Sequence, residues 1–326
     1  MMVRFSLRVV LCSLLVLLLS VPTAQAAKQR LLLGTSTVGG SYYILGGTWA
    51  KTLNDKLPNL DISVEVTGGP DTNIPLIEKK EMELGLVTAW KAGEHYNGDV
   101  PSKQKAQSMR AFIPLYASYL QIFTLKSTGI TKIRDIEGKH VSTGPAGSSS
   151  FLAGRAVVKA LGIKAGKVSG MPAGQQLNTL RDNQTQLAFV VGGVPGPTVM
   201  EIEATHDVTL IPLEKADMTA ILKDQPYWTQ GIIPKGAYKS ATADIPVVSF
   251  WNFAVAHKDL SEDVVYNLTK ETFNILPELA NAVRDMGKTK PEDILFSSVP
   301  LHKGAIKFYR EKGVKIPDNL IPAEAK

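Results

Sequence analysis

Apolar residues along this chain come in two alternating rhythms. Short runs such as Leu31-Leu32-Leu33 and Leu84-Gly85-Leu86-Val87 read as buried strands, and D-I-S-V-E-V-T at Asp61–Thr67 alternates as a half-buried strand does. Between them, Tyr43, Gly47, Ala50, Leu53 and Leu57 fall at helical spacing, a helix that Pro58-Asn59 ends. Gly68-Gly69-Pro70 turns the chain, and Asn73–Lys80 reads as a second helix.

The rhythm then restarts. Leu120–Leu125 reads as a strand, Lys132–Lys139 as a helical turn, His140–Ser142 as a strand and Phe151–Leu161 as a helix. Asn178–Asn183 (helix), Leu187–Val191 (strand), Val199–Ala204 (helix) and Val208–Ile211 (strand) complete this second set, and Gly192–Pro197 breaks it. Val247–Ala256 is a long apolar strand, and helices over Glu262–Leu276, Pro277–Met286 and Ala305–Lys312 close the chain. Strands alternating with helices predict βαβ units and a mainly parallel sheet. Two such sets predict two lobes.

The first residues need a different reading. Arg4 and Arg8 precede an apolar run, Val9–Val21, and the small-x-small site Ala24-Gln25-Ala26. This order predicts a cleaved secretory signal over 1–26. The run falls short of the ~20 residues that span a bilayer. The only cysteine, Cys12, lies inside it, so the exported chain is expected to fold without disulfides, which its length allows. Hydrophobic content of 44% with 20% charged residues is that of a globular protein. The net charge is +6, or +4 without Arg4 and Arg8, and it is scattered, so nucleic acid is not an expected partner.

Two loops carry the candidate chemistry. G-T-S-T-V-G-G-S at Gly34–Ser41 nearly spells a phosphate-binding loop, but Gly40 stands where that motif has its lysine. A nucleotide is therefore not expected. What remains is a glycine-rich turn before a helix, where free N–H groups and the helix dipole favour an anion. Ser36 and Ser41 add hydroxyls, and Tyr42 or Tyr43 adds a wall. G-P-A-G-S-S-S at Gly144–Ser150 repeats the design. Each loop alone is also explained as a tight turn that caps its helix; the pair points to one ligand gripped from both lobes, an anion or a neutral polar molecule. Trp90 follows the Leu84–Val87 strand at its carboxyl end, where open α/β sheets place ligands, and is expected at the cleft. Trp49, Trp228 and Trp251 are expected to pack. Arg110, Arg134, Arg155 and Arg181 are the arginines near these segments, and none occupies a motif position.

Enzyme signals are weak. There is no G-x-S-x-G or H-E-x-x-H, no thiol outside the signal, and the five histidines lack ligand spacing. No catalytic residue, metal or cofactor is expected.

In order along the chain stand G-G-S-Y-Y (Gly39–Tyr43), T-G-G-P-D-T-N-I (Thr67–Ile74), E-L-G-L-V (Glu83–Val87) and T-K-I-R-D-I-E-G-K-H-V-S-T-G-P-A-G-S (Thr131–Ser148). G-G-V-P (Gly192–Pro195) and P-L-H-K-G-A-I-K-F-Y-R-E-K-G (Pro300–Gly313) follow. With these the chain resembles the TAXI-type solute receptors of tripartite ATP-independent periplasmic (TRAP) transporters. It departs from them at Lys303, at Ser36-Thr37, at Ser149-Ser150 and at Trp90-Lys91. The resemblance implies a type II periplasmic-binding-protein fold, α/β, with two lobes (27–118 with 246–326, and 119–245) and a ligand cleft between them. Hinge strands would cross near Ser118–Lys126 and Ile245–Phe253. It implies a periplasmic receptor, expected to be a monomer, that hands a small carboxylate or acidic amino acid to an ion-driven permease; a ligand-sensing or surface interaction protein with the same fold and no transport role is the alternative. The candidate ligand-binding residues are Ser36, Gly39, Gly40, Ser41, Tyr42 and Tyr43 in the first loop. Gly69, Asn73, Thr88 and Trp90 follow, then Gly144, Ala146, Gly147, Ser148 and Ser149 in the second loop, and Gly193, Val194 and Pro195.

Overall fold

The computed structural model describes residues 28–326, so the expected signal and Cys12 lie outside the described residues. The first set runs β1 (Gln29–Gly34), α1 (Ser41–Lys56), β2 (Leu60–Glu65), α2 (Pro70–Glu78), β3 (Leu84–Thr88) and α3 (Ala89–Asn97). A 17-residue strand, β4 (Met109–Leu125), leads to the second set. That set is β5 (His140–Thr143), α4 (Ser149–Ala160), β6 (Lys167–Gly170), α5 (Ala173–Arg181), β7 (Leu187–Gly192), α6 (Pro197–Glu203), β8 (Val208–Leu210), α7 (Lys215–Asp224) and β9 (Thr229–Ile233). β10 (Ile245–His257), α8 (Glu262–Asn274), α9 (Leu276–Ala282) and α10 (Lys303–Glu311) complete the chain. Among the described residues no helix is long and apolar enough to cross a membrane.

The strands form one sheet in the order β2-β1-β3-β10-β4-β7-β5-β6, with β8 on β4 and β9 on β10. β1 pairs parallel with β2 and β3, and β5 parallel with β6 and β7. β4 and β10 run antiparallel to each other through the middle. Each passes from one core to another. Phe112 and Ile113 of β4 and Phe253 and Val255 of β10 belong to the first core, whereas Leu120, Ile122, Val248 and Phe250 belong to the second. The result is the two-lobe α/β fold expected of a type II periplasmic binding protein.

Several local expectations shift. α1 buries Tyr42, Leu45, Trp49 and Leu53 rather than the stripe through Tyr43 and Gly47, because that phase puts the larger apolar side chains inward. α2 starts at Pro70, which tolerates the first helical turn because it has no N–H to leave unpaired there. The helix expected at Asn178–Asn183 is the end of α5. The first half of β4 and all of α3, α7, β6 and β9 were not legible as elements. Trp49 packs as expected, 2% exposed, with Nε1 donating to Thr272 Oγ1 at 2.8 Å.

Candidate functional site

The two glycine-rich loops have the same backbone. In the first, Gly39 has φ +81° and the helix cap Gly40 has φ −74°, ψ 154°. In the second, Gly147 has φ +82° and the cap Ser148 has φ −71°, ψ 155°. Left-handed φ at this point turns the chain sharply into the helix, and only glycine adopts it without steric cost. The caps differ. Ser148 Oγ accepts from Phe151 N at 3.2 Å, whereas α1 has no side-chain cap. Beneath the first loop, Asn73 Nδ2 donates to the carbonyls of Thr35 (2.9 Å) and Leu86 (3.0 Å), and Thr67 Oγ1 donates to Asn73 Oδ1 at 2.7 Å. Ser150 Oγ braces the second loop against β7, accepting from Val191 N at 2.8 Å.

Both loops open onto one cavity of about 410 Å³. Gly40 before α1, Gly69 and Pro70 at the start of α2, Ser148 and Ser149 at the start of α4, Pro172 and Ala173 at the start of α5, and Gly196 and Pro197 at the start of α6 all line it, so five helix N-termini face the same space. Free N–H groups and the dipoles at these ends favour an anion there. Among the described residues no lysine, arginine, histidine, aspartate or glutamate lines it. The arginines are engaged elsewhere: Arg110 with Glu324 at 2.7 Å, Arg134 with Asp217 at 2.8 Å, Arg181 with Glu201 at 3.5 Å, and Arg155 over the Phe151 ring.

The crossing strands supply another wall. Tyr42 Oη donates to Asn252 Oδ1 at 2.5 Å, and Asn252 Nδ2 donates to Tyr116 O and Ser118 Oγ, each at 2.7 Å. Burial, with the neighbouring Tyr116 adding to it, pushes the Tyr42 hydroxyl well above its ordinary value, so it remains a donor. Gln121 Nε2 donates to Gly193 O at 3.0 Å, while Tyr238 donates to Gln121 Oε1 and accepts from Gly196 N. This network fixes the turn after β7. Burial is the main reason that the Tyr238 hydroxyl is pushed up to about 12.

Of the expected first-loop residues, Ser36, Gly39, Gly40, Ser41 and Tyr42 line the cavity and Tyr43 does not. The phase of α1 decides between the two tyrosines. Gly69, Gly144, Ser148, Ser149 and Gly193 also line it; Ala146, Gly147, Val194 and Pro195 do not. Gly147 instead meets the opposite lobe: a methyl group on it would lie 3.3 Å from Gly68 O. Asn73 and Thr88 are fully buried, Asn73 beneath the first loop and Thr88 capping α3 by accepting from Lys91 N at 3.1 Å.

Trp90 is not at the cleft. The chain continues from β3 directly into α3, and Trp90 packs edge-on to Trp228 with ring centroids 5.0 Å apart, beside Phe250. Its Nε1 donates to Glu94 Oε1 at 2.5 Å. The residues that the sequence reading missed are Tyr116, Ser118, Gln121 and Asn252 on the crossing strands and Gln176 on α5. A signal existed for some of them: Ser118, Gln121 and Asn252 are polar residues inside otherwise apolar strands, and all three are buried.

The five histidines are dispersed. His95 lies 3.0 Å from Asp71, His140 contacts Ser169, His206 contacts Thr205 and His257 lies beside Asp259. His302 caps α10, accepting from Gly304 N through Nδ1 at 3.2 Å, with Nε2 3.1 Å from Leu260 O. No group of side chains suited to a metal ion occurs among the described residues.

A two-lobe sheet with a cavity between helix N-termini defines the periplasmic solute-binding class of fold. Solved structures agree. BugD, a periplasmic binding protein, is 14% identical with a TM-score of 0.55, over 89% of this chain and 99% of that one. A TctC solute-binding protein from Polaromonas is 15% identical with a TM-score of 0.52, over 81% and 90%. The model of the NMT1-like family matches residues 33–313, and the chain belongs to that family.

Proposed function

We propose that this chain is an extracytoplasmic solute-binding receptor of the TAXI type. In this reading it captures a small carboxylate or acidic amino acid and delivers it to an ion-gradient-driven TRAP permease. The observation that carries it is the convergence of two backbone-equivalent loops, one from each set of βα units, on one cavity without charged side chains. Such a wall holds an anion through N–H groups and hydroxyls. The motifs from G-G-S-Y-Y to the C-terminal P-L-H-K-G support the transporter type, and the expected signal over 1–26 supports export.

The lobes in this reading are 27–118 with 246–326, and 119–245. β4 and β10 act as the hinge, and a ligand that contacts both loops shifts the population toward the closed form. Native mass spectrometry of the purified protein, followed by calorimetry with a panel of carboxylates and amino acids, tests the proposal. A co-purified small acid, or a panel member that raises the melting temperature, is expected. Failure of every small acid to bind would overturn it.

A further inference from the structure

An acidic side chain bears on the cavity wall. Asp285 stands in the short helical turn Arg284–Lys288 after α9, packed with the first core through Met286. It reaches across to the turn after β7: its Oδ2 would lie 2.4 Å from a methyl group on Gly193, which lines the cavity. Gly193 leaves room for that carboxylate because it has no side chain. Oδ1 is held by Lys288 Nζ at 2.8 Å, but Lys288 is 71% exposed and Asp285 only 14%. Water therefore screens the lysine more than the acid. The field of Asp285 reaches Tyr116 and Tyr119 on β4. It adds to burial in raising the hydroxyl pKa of Tyr116, a cavity residue, and of Tyr119, where Lys288 offsets part of it.

We infer that the cleft accepts ligands with a single carboxylate, and that Asp285 is the specificity-determining residue that rejects a second. This rests on the receptor reading above and narrows its ligand class to monocarboxylates, setting aside the acidic amino acids of that reading. One carboxylate is served by the helix N-termini that face the cavity, the uncapped start of α1 among them. A second has no cation in the wall to pair with, so its desolvation is not offset. Near Gly193 it also meets a like charge. The favoured ligand is a monocarboxylate whose remaining part is uncharged, or carries an ammonium group that Asp285 attracts.

Calorimetry on the purified protein with matched pairs tests this: glutamine against glutamate, and glutaramate against glutarate. In each pair the monocarboxylate is expected to bind at least about tenfold tighter. Asp285→Asn is expected to shrink that ratio to below about threefold. Lys288→Gln, at an exposed position that does not threaten folding, is expected to widen it by removing the partner of the acid. Equal or tighter binding of the dicarboxylate by the unmodified protein would overturn the inference alone. So would an unchanged ratio in Lys288→Gln, and in Asp285→Asn where that variant keeps its melting temperature. Absence of binding by any carboxylate overturns it together with the receptor reading.

Discussion

The loop before α1 and the loop before α4 follow the same backbone path and differ in what surrounds them. The first has no side-chain cap and is held from below by Asn73. The second caps itself with Ser148, and its Gly147 touches the opposite lobe. One loop is thus a fixed floor with free N–H groups, and the other is a jaw that meets the facing lobe. The same conformation serves two tasks because neighbours, not backbone angles, decide which N–H groups stay free.

Acidification separates the fold from the loops most strongly. Neither loop contains a titratable acid, base or histidine, so binding of an ionised carboxylate is expected to stay flat between about pH 6.5 and 5 while the fold weakens. Burial lowers the His302 pKa from 6.5 to about 4. The unfolded chain then takes up a proton before the folded one does. Stability is complete above about pH 6.5 and falls as pH drops toward 4, by about 3 kcal/mol in all. Chemical denaturation across that range checks it, and His302→Gln should flatten the profile.

Asn73→Ala attacks the floor. It removes the Nδ2 donor from the buried carbonyls of Leu86 and Thr35, the latter keeping Thr67 Oγ1 at 3.1 Å, at about 1–3 kcal/mol in all, and should lower the melting temperature and the affinity together. Gly39→Ala and Gly147→Ala form a matched pair. Both force alanine into left-handed φ, at about 1–2 kcal/mol. Only at Gly147 does the added methyl also face the opposite lobe, since nothing lies within 4 Å of one on Gly39. Gly147→Ala should therefore weaken ligand binding further and favour an open form in small-angle scattering; equal losses in the two variants would remove the distinction between floor and jaw. Ser148→Ala has the smallest expected effect, about 1 kcal/mol of helix capping read by thermal denaturation.

The alternation of strands and helices was legible because it depends on local periodicity, and both loops were legible because glycine and serine before a helix have a local meaning. Trp90 was placed at the cleft by a rule about strand ends, but α3 begins at once, and the indole meets Trp228 and Phe250 from the other core. Tyr43 lost to Tyr42 through a single-residue difference in helix phase, which the largest buried side chains set.

By itself the sequence determined the two βα sets, the two anion-suited loops and the neutrality of their side chains, since each follows from neighbouring residues. Only the tertiary structure decided that both loops share one cavity, that Tyr116, Ser118, Gln121 and Asn252 wall it, and that Asp285 bears on Gly193. Those contacts join segments far apart in the chain, and their geometry is fixed by where β4 and β10 cross between the cores, which no local pattern encodes.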